Sequence, residues 1–247
     1  MTLLDIDLDR FAEAVGRTSV GVRHNLAGHD LLTVEALAVL ADALPAASVE
    51  HNVADVPVVA ASGEVEVIER RPGEIAREIA SNGCWMVLKN VEQQPEYRAL
   101  LDACLDEVAP LFGGREGGME QREAFVFLSS PNAVTPSHVD PEHNFLLQVR
   151  GTKHMNVGRF ADPAVEQREL ERIYLGGHRN IEQEPDDYET FTLEPGDGVY
   201  VRPDAPHFVL NGPAPSVSLS ITWRTPVTRR TARVHQVIER SPQEGVR

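Results

Sequence analysis

Between residues 121 and 225 the chain is a succession of short strand-like segments separated by turn residues, and this pattern constrains the fold more than any other feature. Many short strands in succession are typical of a barrel or a sandwich. One helix, at residues 162–174, is predicted among them. The predicted strands span residues 124–129, 138–150, 153–160, 189–193, 199–202, 207–211 and 217–224.

The first third of the chain has a different pattern, with helices and short strands. Helical spacing of apolar residues predicts helices at 8–15 and 33–44, and Pro72 and Gly83 bracket a third at 73–82. Residues 84–91 predict a buried strand and residues 95–112 the longest helix. Because no change of composition demands a second domain, we expect a single domain over residues 1–247. It would comprise an N-terminal region of helices and strands that decorates the core (1–115), a β-barrel core (116–226) and a tail (227–247).

Charge and cysteine content exclude several classes of protein. Lys and Arg number 23 and Asp and Glu 38, which gives a net charge of −15. Such an acidic surface argues against nucleic acid and anionic membranes as partners. Two cysteines, Cys84 and Cys104, rule out a disulfide framework and are expected to be buried thiols. The first residues lack the pattern of a signal peptide, and the apolar stretch 31–47 carries acidic residues, so we expect a cytoplasmic protein.

A histidine and a carboxylate at i and i+2 suggest a metal site. His138 and Asp140 point to the same face if the strand is regular, and Pro141 favours an extended Asp140. Alone, the pair also fits an exposed histidine and aspartate at the start of a strand. A Pro-Gly-Asp turn at 195–197 precedes His207, which would complete the two-histidine, one-carboxylate triad of non-haem Fe(II) oxygenases.

Lys153 is the second unusual feature. Strand alternation places Lys153 on one face with Met155 and Val157. A lysine on an apolar face would be buried, and a buried ammonium requires an anion. The sequence assigns no protein carboxylate to it, so the carboxylate of a ligand would serve. Thr135 and Asn144 add neutral hydrogen-bonding groups near the same site.

The segment from Thr135 to Lys153 resembles the core motif of the JmjC family, which are cupin-like oxygenases dependent on Fe(II) and 2-oxoglutarate. The motif contains Thr-Pro-x-His-x-Asp, then an Asn four residues and a Lys thirteen residues after the Asp, as in this sequence. It is similar to the motif of the asparaginyl hydroxylase that acts on hypoxia-inducible factor. The resemblance covers residues 125–223 and reaches neither the first hundred residues nor the tail.

This resemblance implies a mainly β fold, a double-stranded β-helix (a jelly-roll or cupin-like barrel) decorated by N-terminal helices and one helical insertion. It implies Fe(II), 2-oxoglutarate and O2 as cofactors. His138, Asp140 and His207 would hold the iron. Lys153 would bind the distal carboxylate of 2-oxoglutarate, with a hydrogen bond from the hydroxyl of Thr135.

The resemblance also implies roles for residues around the co-substrate. Asn144 would line its pocket, and Phe125 and Phe127 would lie on a strand that packs beside it. Thr222 stands where relatives often have an Asn, so this contact departs from the family pattern. The peptide-binding and dimerisation extensions of the family are not recognisable in this sequence.

The implied activity is hydroxylation of an unactivated C–H bond of a small molecule, an amino acid or a peptide side chain, with conversion of 2-oxoglutarate to succinate. An N-demethylase using the same site is one alternative. A cupin metalloenzyme without 2-oxoglutarate is another, in which Lys153 would have no role, and a non-catalytic cupin-like sensor with a vestigial site is a third, for which a missing metal ligand or a blocked pocket would be expected. Arginines in the tail would meet an acidic surface if the chain forms a homodimer.

The remaining histidines and the tryptophans are not assigned to the site. His24 and His143 are expected on outer surfaces, as are the other unassigned histidines. Trp85 and Trp223 are expected in the core rather than in a substrate pocket.

Overall fold

The computed structural model describes residues 2–53 and 70–238, with side chains except at residue 53 and residues 233–238. The helices of this part are α1 (Leu8–Ala14), α2 (Val34–Ala43), α3 (Pro72–Arg77), α4 (Pro95–Asp106), α5 (Pro163–Tyr174) and α6 (Pro226–Ile238). The strands are β1 (Leu4–Asp5), β2 (Val20–His24), β3 (Val49–Val53), β4 (Cys84–Leu88), β5 (Glu120–Ser129), β6 (Val134–Val139), β7 (His143–Arg150), β8 (Lys153–Arg159), β9 (Asp187–Leu193), β10 (Asp197–Val201), β11 (Pro206–Asn211) and β12 (Ser216–Arg224).

The strands form two antiparallel sheets. The larger sheet has the order β1-β2-β10-β7-β12-β5-β4-β3, and the smaller has the order β6-β11-β8-β9. Residues from both sheets meet in an interior cluster, in which Leu146 of the larger sheet packs with Met155, Val157 and Val209 of the smaller. The predicted mainly β, cupin-like barrel is therefore confirmed.

The two faces of the larger sheet differ because its strands alternate. On β12, Leu219, Ile221 and Trp223 face the helices and join the main apolar core. The intervening Ser218 and Ser220 face the barrel interior and are also buried. The helices thus cover an apolar outer face, while the interior wall of the barrel carries hydrogen-bonding groups.

Several predicted elements have different boundaries. The strand predicted at 138–150 is two strands, β6 and β7, separated by a turn at Asp140, Pro141 and Glu142. The helix predicted at 95–112 ends at Asp106 and is followed by a 3-10 helix, Ala109–Phe112, because Pro110 cannot continue the α-helical hydrogen bonding. The helix predicted at 73–82 ends at Arg77.

The first third of the chain contributes strands as well as helices. β2 pairs with β10, and β4 pairs with β5, so the N-terminal segment extends the larger sheet on both sides. The division into 1–115, 116–226 and 227–247 remains a prediction. No helix in the described part of the chain has the length and apolar character needed to cross a bilayer.

Candidate metal centre

Three potential metal ligands meet where β6 ends and β11 begins. His138 and His207 lie directly opposite each other across the two strands, and Asp140 follows β6 in the turn. Oδ2 of Asp140 is 3.6 Å from Nε2 of His138 and 3.7 Å from Nε2 of His207. One ligand atom from each residue lies within 4.8 Å of the others, and no other such cluster occurs in the described ranges.

The backbone fixes which nitrogen of each imidazole faces the centre. Nδ1 of His138 lies 2.8 Å from the carbonyl oxygen of Pro136, and Nδ1 of His207 lies 2.9 Å from that of Ala205. A carbonyl only accepts, so each Nδ1 carries a proton and donates it. Each neutral ring therefore presents the lone pair of Nε2, which is the arrangement usual for histidine ligands of metals.

The electrostatics of the cluster favour a bound cation. Burial opposes charge on Asp140, but His138, His207 and Arg179 outweigh it and lower the pKa of this carboxyl. Burial lowers the pKa of His207 to about 4, assisted by the neighbouring His138. Burial also acts to lower the pKa of His138, but Asp140 offsets it and the net pKa is raised. An ionised carboxylate beside two imidazoles fits a divalent metal ion, which requires deprotonated ligands.

A β-bulge brings Thr135 to the same face as the triad. Thr135 and His138 are three residues apart, and a regular strand would point them in opposite directions. The register shifts here: His138 pairs with His207, but Thr135 pairs with Val209, so β6 holds one extra residue. Because paired residues share a face and Val209 belongs to the interior cluster, Thr135 faces the barrel interior.

Lys153 is buried inside the barrel, as its alternation with Met155 and Val157 predicts. It is 2 % exposed, and it lies on β8 opposite Asn211 of the neighbouring strand. Burial lowers the pKa of its ammonium group to about 7, and no charged group contributes to the shift. Nζ lies 5.6 Å from the centroid of the Phe127 ring. The only described feature that favours its charge is therefore an aromatic face.

Asn144 and Thr222 lie on the interior face of the larger sheet. Asn144 is buried, and its Oδ1 accepts a hydrogen bond of 2.8 Å from the hydroxyl of Ser220. Thr222 pairs with Asn144 across the strands, and its buried hydroxyl has no hydrogen-bond partner among the described residues. Phe125 and Phe127 alternate with the helix-facing Val126 and are half-buried. The larger sheet therefore brings Asn144, Thr222, Phe125 and Phe127 to one wall of the barrel.

Arg179 is a neighbour of the triad that the sequence does not predict. It lies between α5 and β9, and its Nη1 donates a hydrogen bond of 2.8 Å to Oδ1 of Asp140. It is separated from Asp140 by 39 residues, and no motif or periodicity includes it. Only the tertiary fold brings the two together.

Two histidines expected on outer surfaces are buried. His143 is fully buried on the helix side of the sheet, stacked on Trp223 with ring centroids 5.3 Å apart and an interplanar angle of 7°. His24 is buried because β2 joins the larger sheet, and its Nε2 lies 3.0 Å from the carbonyl of Gln148. Trp223 and both cysteines lie in the core, as predicted, whereas Trp85 is half-buried.

Comparison with known proteins supports the family resemblance. The chain is similar over its whole length to E. coli ycfD, with 17% identity, 61% of that chain covered and a TM-score of 0.62. It is similar to the E. coli ribosomal oxygenase YcfD in complex with cobalt and 2-oxoglutarate, with 17% identity, full coverage of this chain, 60% of the other and a TM-score of 0.58. It is also similar to YcfD in complex with cobalt and succinic acid, with 18% identity, full coverage of this chain, 60% of the other and a TM-score of 0.56.

These similarities establish the fold, and this chain spans about three fifths of the length of the YcfD chains. No curated protein matches the sequence. The model of the JmjC domain family matches residues 118–231, which include the triad, Thr135, Asn144 and Lys153. The resemblance to the JmjC family seen in the sequence is therefore confirmed for this segment of the chain.

Proposed function

We propose that the protein is an oxygenase that uses Fe(II), O2 and 2-oxoglutarate to hydroxylate an unactivated C–H bond. One observation carries the proposal: the triad of His138, Asp140 and His207 faces the same barrel interior as Lys153, which is buried with no carboxylate partner among the described residues. A metal site and an unpaired buried cation match the two ends of 2-oxoglutarate, whose keto acid binds the metal and whose distal carboxylate needs a positive charge.

The residues of the chain would bind and orient the reactants. The two Nε2 atoms and Oδ2 of Asp140 would bind Fe(II) on one side and leave its other positions open. When bound, Fe(II) supplies the oxidation chemistry that couples O2 and decarboxylation of 2-oxoglutarate to oxidation of the substrate. Lys153 would pair with the distal carboxylate, with Thr135 donating a hydrogen bond from the same interior face. Asn144 and Phe127 would line the pocket between them.

For the substrate we propose a peptide or protein side chain, with an amino acid or another small molecule as the alternative. The support is that YcfD, to which this chain is similar in fold, is a ribosomal oxygenase. N-demethylation would use the same site. A cupin enzyme without 2-oxoglutarate leaves the burial of Lys153 unexplained, and a sensor with a vestigial site does not require the three potential ligands that cluster here.

Anaerobic binding of the co-substrate tests this proposal. Fe(II) and then 2-oxoglutarate are added without O2, and the weak visible absorption of 2-oxoglutarate bound to Fe(II) is recorded. We expect the absorption in the wild type and in His154→Ala, a histidine on β8 that is hydrogen-bonded to Thr192 away from the triad. We expect none in His138→Ala. A wild-type protein that binds Fe(II) fully but develops no absorption would contradict the assignment.

A further inference from the structure

Arg179 contacts the carboxylate of the triad on the side away from the two histidines. Its Nη1 bonds to Oδ1 of Asp140 at 2.8 Å, whereas Oδ2 of the same carboxylate lies 3.6 Å and 3.7 Å from the two histidine nitrogens. The two oxygens of Asp140 therefore have different neighbours. One faces the site where a metal would bind, and the other is held by a guanidinium group.

The backbone around Arg179 is fixed to the strand that carries His138. The N–H of Val139 donates to the carbonyl of Arg179 at 3.0 Å, and the N–H of Ile181 donates to the carbonyl of Ser137 at 3.1 Å. Asn180 forms an antiparallel bridge with His138. Because β6 is an edge strand of the smaller sheet, residues 179–181 cover its free edge, and Arg179 has a defined register relative to the triad.

α5 holds the same segment from the other side. Arg172 donates to the carbonyls of His178 and Asn180, at 2.9 Å and 2.6 Å, which flank Arg179 in the sequence. Glu169, which is buried, accepts the N–H groups of Glu182 and Gln183, both at 3.2 Å. The segment is thus anchored before and after Arg179, so the position of this half-exposed side chain is set by its backbone.

A second carboxylate supports the guanidinium. Both oxygens of Glu142 lie 3.5 Å from nitrogens of Arg179, and Glu142 is itself bonded to Arg224 at the end of β12. A planar guanidinium bound by two carboxylates has little freedom to rotate. The contact with Asp140 is therefore part of a network that joins α5, the turn after β6 and β12.

We propose that Arg179 is a positioning residue that restricts Asp140 to binding a metal through Oδ2 alone. A carboxylate with both oxygens free can bind a metal through both, which occupies one more coordination position. With Oδ1 held by Arg179, that position stays open for the co-substrate. This inference rests on the proposed function, because it assigns a purpose to the open position.

Cobalt(II) alone and then 2-oxoglutarate are the probes, and neither needs turnover. The wild type is compared with two variants. Arg179→Gln removes both the planar guanidinium group and its charge, and Arg179→Lys removes the guanidinium group but keeps a positive charge. Arg159→Gln is the matched control, since Arg159 pairs with Asp187 at 3.5 Å on an exposed surface. The visible spectrum of bound cobalt reports its coordination, and titration gives the affinity of the loaded protein for 2-oxoglutarate. Thermal unfolding verifies that each variant is folded.

We expect Arg179→Gln and Arg179→Lys to change the cobalt spectrum and to weaken 2-oxoglutarate binding about tenfold or more, the usual scale for loss of a group that orients a metal ligand. Arg159→Gln should match the wild type in both. If the folded Arg179 variants keep the wild-type spectrum and affinity, the positioning role is wrong while the proposed function stands. If only Arg179→Gln loses affinity for 2-oxoglutarate and all the variants keep the wild-type cobalt spectrum, only the charge of Arg179 matters. The positioning role is wrong in that case too. A wild type that binds neither cobalt nor 2-oxoglutarate would overturn the proposed function and this inference together.

Discussion

Lys153 and Phe127 face each other across the barrel interior, with Nζ 5.6 Å from the centroid of the ring. One residue comes from the smaller sheet and the other from the larger, so the contact joins the two walls. The contact between a cation and an aromatic face offsets only a small part of the free-energy cost of burying an ammonium group. The pKa of Lys153 is accordingly lowered to about 7, and the site is arranged to gain from an anion.

Binding of 2-oxoglutarate is therefore expected to take up a proton. With a pKa of about 7 in the free protein, Lys153 is mostly neutral at pH 8 and mostly charged at pH 6. A bound carboxylate raises this pKa, so uptake should approach one proton at pH 8 and be much smaller at pH 6. Calorimetric titration of the metal-loaded protein in buffers of different ionisation enthalpy measures it. If the heat of 2-oxoglutarate binding at pH 8 does not depend on the buffer, and is the same for the wild type and Lys153→Ala, no proton is taken up and the role of this lysine is contradicted.

Thr135→Val is expected to weaken 2-oxoglutarate binding without unfolding the protein. The bulge on β6 places the side chain of Thr135 on the interior face, and valine has nearly the same shape as threonine but lacks the hydroxyl. Loss of a hydrogen bond to a charged group corresponds to about 1.5–3 kcal/mol, or roughly tenfold to a hundredfold in affinity. Thr190→Val on β9, which removes a hydroxyl bonded to Asn156 at 2.7 Å, is the control. If Thr135→Val and Thr190→Val bind 2-oxoglutarate with equal affinity, Thr135 does not contact the co-substrate.

Metal affinity is expected to fall as the pH falls. Nε2 of His138 must lose its proton before it binds a metal, and the neighbouring Asp140 raises the pKa of this histidine against the effect of burial. Below that pKa one proton competes with the metal, so affinity should decrease about tenfold per pH unit. Cobalt titrations between pH 8 and pH 5.5 measure this slope. An affinity that stays constant over this interval would mean that His138 is not a ligand.

Both cysteines are expected to be unreactive in the folded protein. Burial raises the pKa of Cys84 to about 11 and that of Cys104 to about 12, and both side chains lie in the core. At pH 8 the thiolate, which is the reactive form, is then about one part in a thousand or less. A chromogenic disulfide reagent should release no coloured thiolate from the folded protein. After denaturant is added, it should release two equivalents, one for each cysteine. Rapid reaction of the native protein would contradict the described packing around α4 and β4.

His138, Asp140 and Lys153 could be singled out in the sequence because they lie close together along the chain, whereas His207 was suggested only by the Pro-Gly-Asp turn before it. His138, Asp140 and Lys153 lie within one motif, and strand alternation alone places Lys153 on an apolar face. The bulge that turns Thr135 inward was not predictable, because a register shift depends on pairing with β11. Arg179 was missed for a similar reason, since an ordinary loop sequence becomes part of the site only through its bonds to β6 and α5.

Burial of His24 and His143 shows what local pattern leaves out. His24 lies at the end of a short strand whose partner, β10, is about 170 residues further along the chain. His143 lies on the side of the sheet that faces away from the triad, but helices rather than water cover that side. Alternation predicts which face a residue occupies, and only the packing of distant elements determines what covers that face.

If the triad and Lys153 act on one co-substrate, the Fe(II)-loaded protein should convert 2-oxoglutarate to succinate in the presence of O2, and this conversion is the measurement to make first. The comparison is between the wild type, Lys153→Ala and Lys89→Ala, because Lys89 is the other lysine of the chain and pairs with Glu50 at the surface. We expect succinate from the wild type and from Lys89→Ala, and a rate at least about tenfold lower from Lys153→Ala at low 2-oxoglutarate, with Fe(II) still bound. Equal turnover by Lys153→Ala and Lys89→Ala, or no succinate from the iron-loaded wild type, would contradict this expectation.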